Sequence, residues 1–255
     1  MPQTVPTYPD LRGKVAVVTG GSRGIGAATC RALASNGVRV AVNGRDRTAI
    51  DVLVRDLGAD AMAVAADCTR ETDVEAMRER VESELGPVDL LATFAGGFNS
   101  FTPVEHISLE EWRQVVEVNL TSTFITVRAF LPGMIERRRG SIVTMASVSG
   151  RFLDKPTMAA YAAAKAGVVM FTRHLALEVG RHGIRANCVA PGTTLSERIE
   201  SIMDAESIDR TAAMSPLGRL GLPEDTANAT IFLLSNAASW LTGVTLDVAG
   251  GRVML

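Results

Sequence analysis

Seven apolar runs of strand length recur along the 255 residues, and each is separated from the next by a longer stretch. They are KVAVVTG (14–20), RVAVNGR (39–45), AMAVAAD (61–67), VDLLATFAG (88–96), GSIVTMAS (140–147), IRANCVAPG (184–192) and VTLDVAGG (244–251). All are rich in small and β-branched residues, and most close on Gly, Asp or Ser, which is the signature of strands ending in tight turns. Between them, segments 24–37, 46–58, 71–86, 109–140, 161–183 and 223–237 carry apolar residues at helical spacing. Parallel strands need a connection of a dozen or more residues, which a helix supplies. The alternation therefore predicts an α/β fold, a doubly wound parallel sheet of about seven strands with helices on both faces. Residues 193–218 fit this rhythm least; their weak helical patterns predict a flap over the carboxyl edge of the sheet, where such folds bind ligands.

Composition narrows the class. With 47% hydrophobic and 21% charged residues the chain can bury a full core, and one domain over 1–255 is expected. A net charge of -2 provides no broad basic field, so neither nucleic acid nor a membrane surface is an expected partner. No stretch reaches the ~18 apolar residues of a membrane span, and MPQTVPTYPD lacks the regions of a signal peptide; a cytoplasmic location is expected. Cys30, Cys68 and Cys188 form no CxxC, and His106, His174 and His182 have no ligand spacing, so no metal site is expected.

Two motifs carry chemistry. In VVTGGSRGIGAA (17–28) a strand runs into glycines at the start of a helix, Thr19-Gly20 followed by Gly24 and Gly26. Bare backbone N–H groups at a helix N-terminus suit a pyrophosphate, and the missing Lys-Ser/Thr pair disfavours triphosphate hydrolysis. Spacing alone also fits a plain strand-to-helix turn. The second motif is YAAAK, in a chain with only two tyrosines. Tyr161 and Lys165 lie four residues apart and so share a helix face. An ammonium beside a phenol favours the phenolate and makes the hydroxyl a usable proton donor and acceptor.

Together with Asp67, Asn119 in EVNL, Ser147 in MASVSG, NCVAPG (187–192) and LTGVTLDVAGG (241–251), these motifs resemble the short-chain dehydrogenase/reductase family from about residue 11 to 251. Stretches such as PLGRLGLPED also resemble its 3-oxoacyl carrier-protein reductases, though they are widely shared within the family. The resemblance implies a Rossmann-type fold, hydride transfer between a nicotinamide cofactor and an alcohol or carbonyl, and helix pairing between copies that builds a homotetramer. It makes Tyr161 the acid/base, Ser147 the partner of the carbonyl oxygen, Lys165 the holder of the nicotinamide ribose, and Asn119 the support of a relay water. It implies cofactor contacts at Gly20, Ser22, Arg23, Gly24, Ile25, Gly26, Arg45, Asp67, Cys68, Ala95, Gly96, Tyr161, Lys165, Pro191, Gly192, Thr194 and Ser196. The chain departs from the family where Thr93-Phe94 replaces the usual Asn-Asn, which puts in doubt how that strand is tied to its neighbours.

The second strand ends Val42-Asn43-Gly44-Arg45, with no acid where an NAD enzyme holds the ribose 2′-hydroxyl. Arg45 and Arg23 would meet a 2′-phosphate, so NADP(H) is favoured and NAD(H) stays possible. The substrate is expected to be a small-molecule, mostly apolar ketone or alcohol, although the apolar residues of the flap fit equally well as packing that holds it shut. Its candidate contacts are Gly97, Phe98, Asn99, Phe152, Leu153, Ile199, Ile202, Met203 and Met214, with Arg151, Lys155 and Arg198 as candidate partners of an acidic group. A dinucleotide-binding sensor without catalysis, or an epimerase or dehydratase on the same fold, are the alternatives.

Overall fold

The computed structural model describes residues 4–97, 101–153 and 158–254. All seven apolar runs become strands: Val15–Thr19 (β1), Arg39–Gly44 (β2), Ala61–Ala65 (β3), Leu90–Thr93 (β4), Gly140–Met145 (β5), Ile184–Pro191 (β6) and Thr245–Val248 (β7). They form one parallel sheet in the order β3-β2-β1-β4-β5-β6-β7. Val17 sits opposite Ala41 on one side and Leu91 on the other. The order reverses direction between β1 and β4, and crevices for ligands open at such reversals.

Helices Gly24–Ser35 (α1), Arg47–Leu57 (α2), Glu71–Glu84 (α3), Leu109–Val116 (α4), Ser122–Arg137 (α5) and Ala159–Val179 (α6) precede Glu197–Ile202 (α7), Ala205–Ala213 (α8) and Pro223–Leu234 (α9). Along β1, Ala16 and Val18 face α1 and α9, where they meet Leu33 and Ile231. Val15 and Val17 face the other way, toward Met77 of α3 and Phe130 of α5. Burial on both faces is why these strands read as continuous apolar runs rather than as alternating ones.

The expected helix over 109–140 is divided. A π turn at Glu117–Thr121 joins α4 to α5. The hydroxyls of Ser122, Thr123 and Thr126 each donate to the carbonyl four residues earlier, a competition with the helix ladder that favours local distortion. At the far end of the sheet Arg185 of β6 reaches the C-terminus of α9. Its guanidinium donates to the carbonyls of Leu233 (2.7 Å) and Leu234 (3.2 Å), last-turn oxygens that the helix itself leaves without a partner.

The 193–218 segment holds α7 and α8, capped by Ser196 and Asp204. It is fastened at both ends. Thr194 bridges Gly221, and Leu195 donates to the Gly221 carbonyl at 2.8 Å. The Ser215 hydroxyl donates to the Gly250 carbonyl at 2.9 Å.

Candidate active site

Two clefts open along the carboxyl edge of the sheet. The first, of about 460 Å³, follows the ends of β1, β2, β3 and β4. Gly20, Ser22, Arg23, Arg45, Asp67, Cys68, Ala95 and Gly96 line it, joined by Glu111, Gln114, Val118 and Ser122, which the sequence reading did not single out. Its floor is backbone against backbone. Gly20 has φ +63°, and a Cβ there would stand 2.8 Å from the Phe94 carbonyl oxygen. A Cβ on Gly26 would stand 2.1 Å from the Gly20 oxygen. The first turn of α1 carries no acid, so its exposed N–H groups and positive end fit a pyrophosphate.

The doubt raised by Thr93-Phe94 is answered by Thr19. Its hydroxyl oxygen accepts from the N–H groups of Phe94 (3.0 Å) and Ala95 (3.2 Å), tying the end of β4 to β1. Phe94 packs into the core beside α1, and the Thr93 hydroxyl is buried without a hydrogen-bond partner. A single Thr carries no pattern that announces this task.

At the mouth, Arg23 is paired with Asp46 at 2.5 Å, and the other oxygen of Asp46 caps α2 by accepting from Ala49. Arg45 beside them is exposed. Asp67 is held below the usual carboxylate range, first by the Thr69 N–H and also by the Thr69 hydroxyl, with Arg45 and Arg70 nearby. Burial pushes the Cys68 thiol up to about 11, so it stays a thiol; it donates to Asn43 Oδ1 at 3.1 Å. All three cysteines are free and buried.

The second cleft, of about 610 Å³, lies between the ends of β5 and β6 and the segment bearing α7 and α8. Ile25, Ser147, Tyr161, Pro191, Gly192, Thr194 and Ser196 line it, with Ile199, Ile202, Met203 and Met214. Ser147 caps a short 3-10 turn, Val148–Gly150, and its Oγ accepts from the Ser149 N–H at 3.2 Å. That turn rests directly on α6, since a Cβ on Gly150 would meet the Lys165 carbonyl carbon at 2.6 Å. Ser147 is thereby placed relative to Tyr161 and Lys165, one turn apart on α6.

Lys165 is buried behind this wall. Its Nζ donates to the Met145 carbonyl at 2.9 Å and lies 5.7 Å from the centroid of the Tyr161 ring. Burial pulls its pKa down to about 8, opposed by the nearby Cys188.

Asn119 faces neither cleft. Its Nδ2 donates to the carbonyls of Gly97 (2.7 Å) and Val115 (2.9 Å), and its Oδ1 accepts from the Gly97 N–H (2.9 Å). The π turn thus presents a carboxamide that clamps both polar groups of one residue in the loop after β4. Gly24 and Gly26 lie within the start of α1 and line neither cleft. A Cβ on Gly24 would nonetheless stand 4.0 Å from Ser196, so the segment over 193–218 begins against the glycine loop. Arg151 is committed elsewhere, to Asp247 at 3.1 Å and the Thr245 carbonyl at 2.9 Å. Phe98, Asn99 and Lys155 lie outside the described residues, as does the side chain of Arg198.

A glycine-lined cleft beside a wall bearing Ser147 and Tyr161, with Lys165 buried behind it, on a 3-2-1-4-5-6-7 parallel sheet fits the class of dinucleotide-dependent oxidoreductases. The family described as Enoyl-(Acyl carrier protein) reductase matches residues 20–252, and the chain belongs to the short-chain dehydrogenase/reductase family. It is 38% identical over 246 residues to 3-oxoacyl-[acyl-carrier-protein] reductase FabG of Vibrio cholerae, covering 96% of this chain and 100% of that one. It is 42% identical over 232 residues to the protein named Inactive 2-(S)-hydroxypropyl-CoM dehydrogenase 2 of Xanthobacter autotrophicus, covering 88% and 99%. The crystal structure of 3-oxoacyl-[acyl-carrier protein] reductase from Brucella melitensis superposes with a TM-score of 0.91 at 31% identity, covering 100% of this chain and 98% of that one. Among the described residues no helix is long and apolar enough to cross a membrane.

Proposed function

We propose that the chain transfers a hydride reversibly between NADP(H) and a ketone or secondary alcohol. One observation carries this reading: Ser147 and Tyr161 share the wall of a largely apolar cleft while Lys165 stands buried behind the Tyr161 ring. The nicotinamide, when bound, supplies or accepts the hydride. As negative charge develops on the carbonyl oxygen, the Ser147 hydroxyl donates to it and Tyr161 Oη delivers the proton. Lys165 offsets charge on the phenolate that remains. Asn119, by clamping Gly97, positions the loop along the cofactor cleft, and the segment over 193–218 covers the substrate.

Arg45 and Arg23 support NADP(H), with charge-assisted bonds to a 2′-phosphate. NAD(H) is the second reading, favoured by the Arg23–Asp46 pair, which leaves one of the two cations already engaged. A homotetramer in the cytoplasm completes the proposal, supported by apolar side chains of α5 and α6 left exposed. The test is a panel of ketones and secondary alcohols offered with each reduced or oxidised cofactor. Turnover of apolar ketones with NADPH is expected, and a wild-type protein that oxidises or reduces nothing while binding NADPH overturns the catalytic reading.

A further inference from the structure

The cleft beneath α7 and α8 has two unlike sides. Ile199 and Ile202 of α7, the Met203 that follows it and Met158 present apolar surface. From α8 the cleft receives Ser207, Arg210 and Thr211, positions that fall on one face of a helix. Among the described residues lining the cleft, Arg210 carries the only formal charge. Its Nη1 donates to Glu206 at 2.7 Å and its Nη2 to the Ser207 hydroxyl at 2.9 Å. A guanidinium has five N–H donors, so these two bonds fix its orientation and leave three for a ligand.

We propose that the substrate is an apolar ketone or alcohol that also bears an anionic group, a carboxylate or a phosphate monoester, which Arg210 receives. This rests on the reductase reading above and adds a substrate class to it. No acid among the described lining residues opposes such a group, and the apolar α7 side accommodates the body that separates it from the carbonyl. Glu206, 79% exposed, orients Arg210 from the solvent side while water screens its charge.

The experiment measures kcat and KM for keto acids of increasing ketone-to-carboxylate spacing, their methyl esters, and a matching ketone that ends in a phosphate. Wild type, Arg210→Ala and Arg210→Lys are compared with NADPH saturating. At the matching spacing the acid is expected to have a KM about tenfold below its ester, the low end for a charge-assisted bond at an exposed cation. Arg210→Ala should abolish that difference through the acid alone, moving the ester by less than about threefold, and Arg210→Lys should restore part of it. A phosphate that gains more than a carboxylate identifies the anion as a phosphate. Equal KM values for acid and ester at every spacing overturn the inference and leave the reductase reading standing, as does an Arg210→Ala variant that weakens both alike. Failure to reduce any ketone, charged or neutral, overturns both.

Discussion

The Lys165 ammonium donates to the Met145 carbonyl at 2.9 Å from a position only 4% exposed. Burial lowers its pKa from 10.5 to about 8. Between those values the unfolded chain holds a proton that the folded one has released, so stability rises with pH across that window. Below about pH 8 the buried charge costs about 3 kcal/mol, at 1.36 kcal/mol per pKa unit. Nζ is therefore held in place against the fold's own interest, as expected of a group kept for chemistry.

Replacing Lys165 by Met, which is similar in volume and uncharged, should stabilise the cofactor-free protein at pH 7 by up to about 3 kcal/mol. It should also flatten the rise in stability between pH 8 and 10.5 and reduce turnover at least 10²-fold. Urea unfolding at several pH values reads the first two effects, and a variant less stable than wild type at pH 7 contradicts the argument.

Tyr161→Phe keeps the ring against Lys165 and removes the hydroxyl. Turnover should fall by at least 10²-fold, within the ~10²–10⁴ contributed by a general acid/base, while the NADPH dissociation constant stays within about threefold. Steady-state rates and fluorescence titration decide, and near wild-type turnover removes Tyr161 from its role.

Arg45→Ala should weaken NADPH by about tenfold, the low end for a charge-assisted bond at an exposed group, and leave NADH nearly unchanged because the glycine-loop contacts are shared. Equal losses for both cofactors mean that Arg45 stacks on the adenine instead.

Gly26→Ala places a methyl 2.1 Å from the Gly20 carbonyl oxygen, so backbone must shift. The expected cost is about 1–3 kcal/mol, a fall in Tm of roughly 2 to 12 °C for a chain of this size, with weaker binding of both cofactors. An unchanged melting curve refutes the close approach.

Phe124 on α5 and Met170 and Leu177 on α6 are 43%, 50% and 80% exposed. Sedimentation at micromolar concentration is expected to give a tetramer, and Leu177→Glu a smaller species. A wild-type monomer rules the assembly out.

The sheet was legible because strands buried on both faces leave unbroken runs such as Val15–Thr19, and the glycine loop because backbone contact permits no other residue. Tyr161 and Lys165 were legible from rarity and spacing. The partners of these groups were not. Met145 serves Lys165 through a main-chain carbonyl, which any residue offers. The π turn at Asn119 sits inside an unbroken helical periodicity, so the distortion that aims its carboxamide at Gly97 leaves no trace in the pattern. Asp46 caps α2, and its pairing with Arg23 joins residues 23 positions apart that only the fold brings together.

The fastening of residues 195–214 at Gly221 and Gly250 separates two kinds of inheritance. Ser147, Tyr161 and Lys165 stand at the end of β5 and on α6, whose Ala146, Val168 and Val169 pack into the core, so the backbone that places them is fixed by the fold. The stretch between the two fastenings adds little to that core, and lengthening a loop already closed at its ends costs about 0.6 kcal/mol per doubling. Descendants of this chain can therefore exchange one clientele for another by rewriting some twenty residues of roof while the floor keeps its reaction.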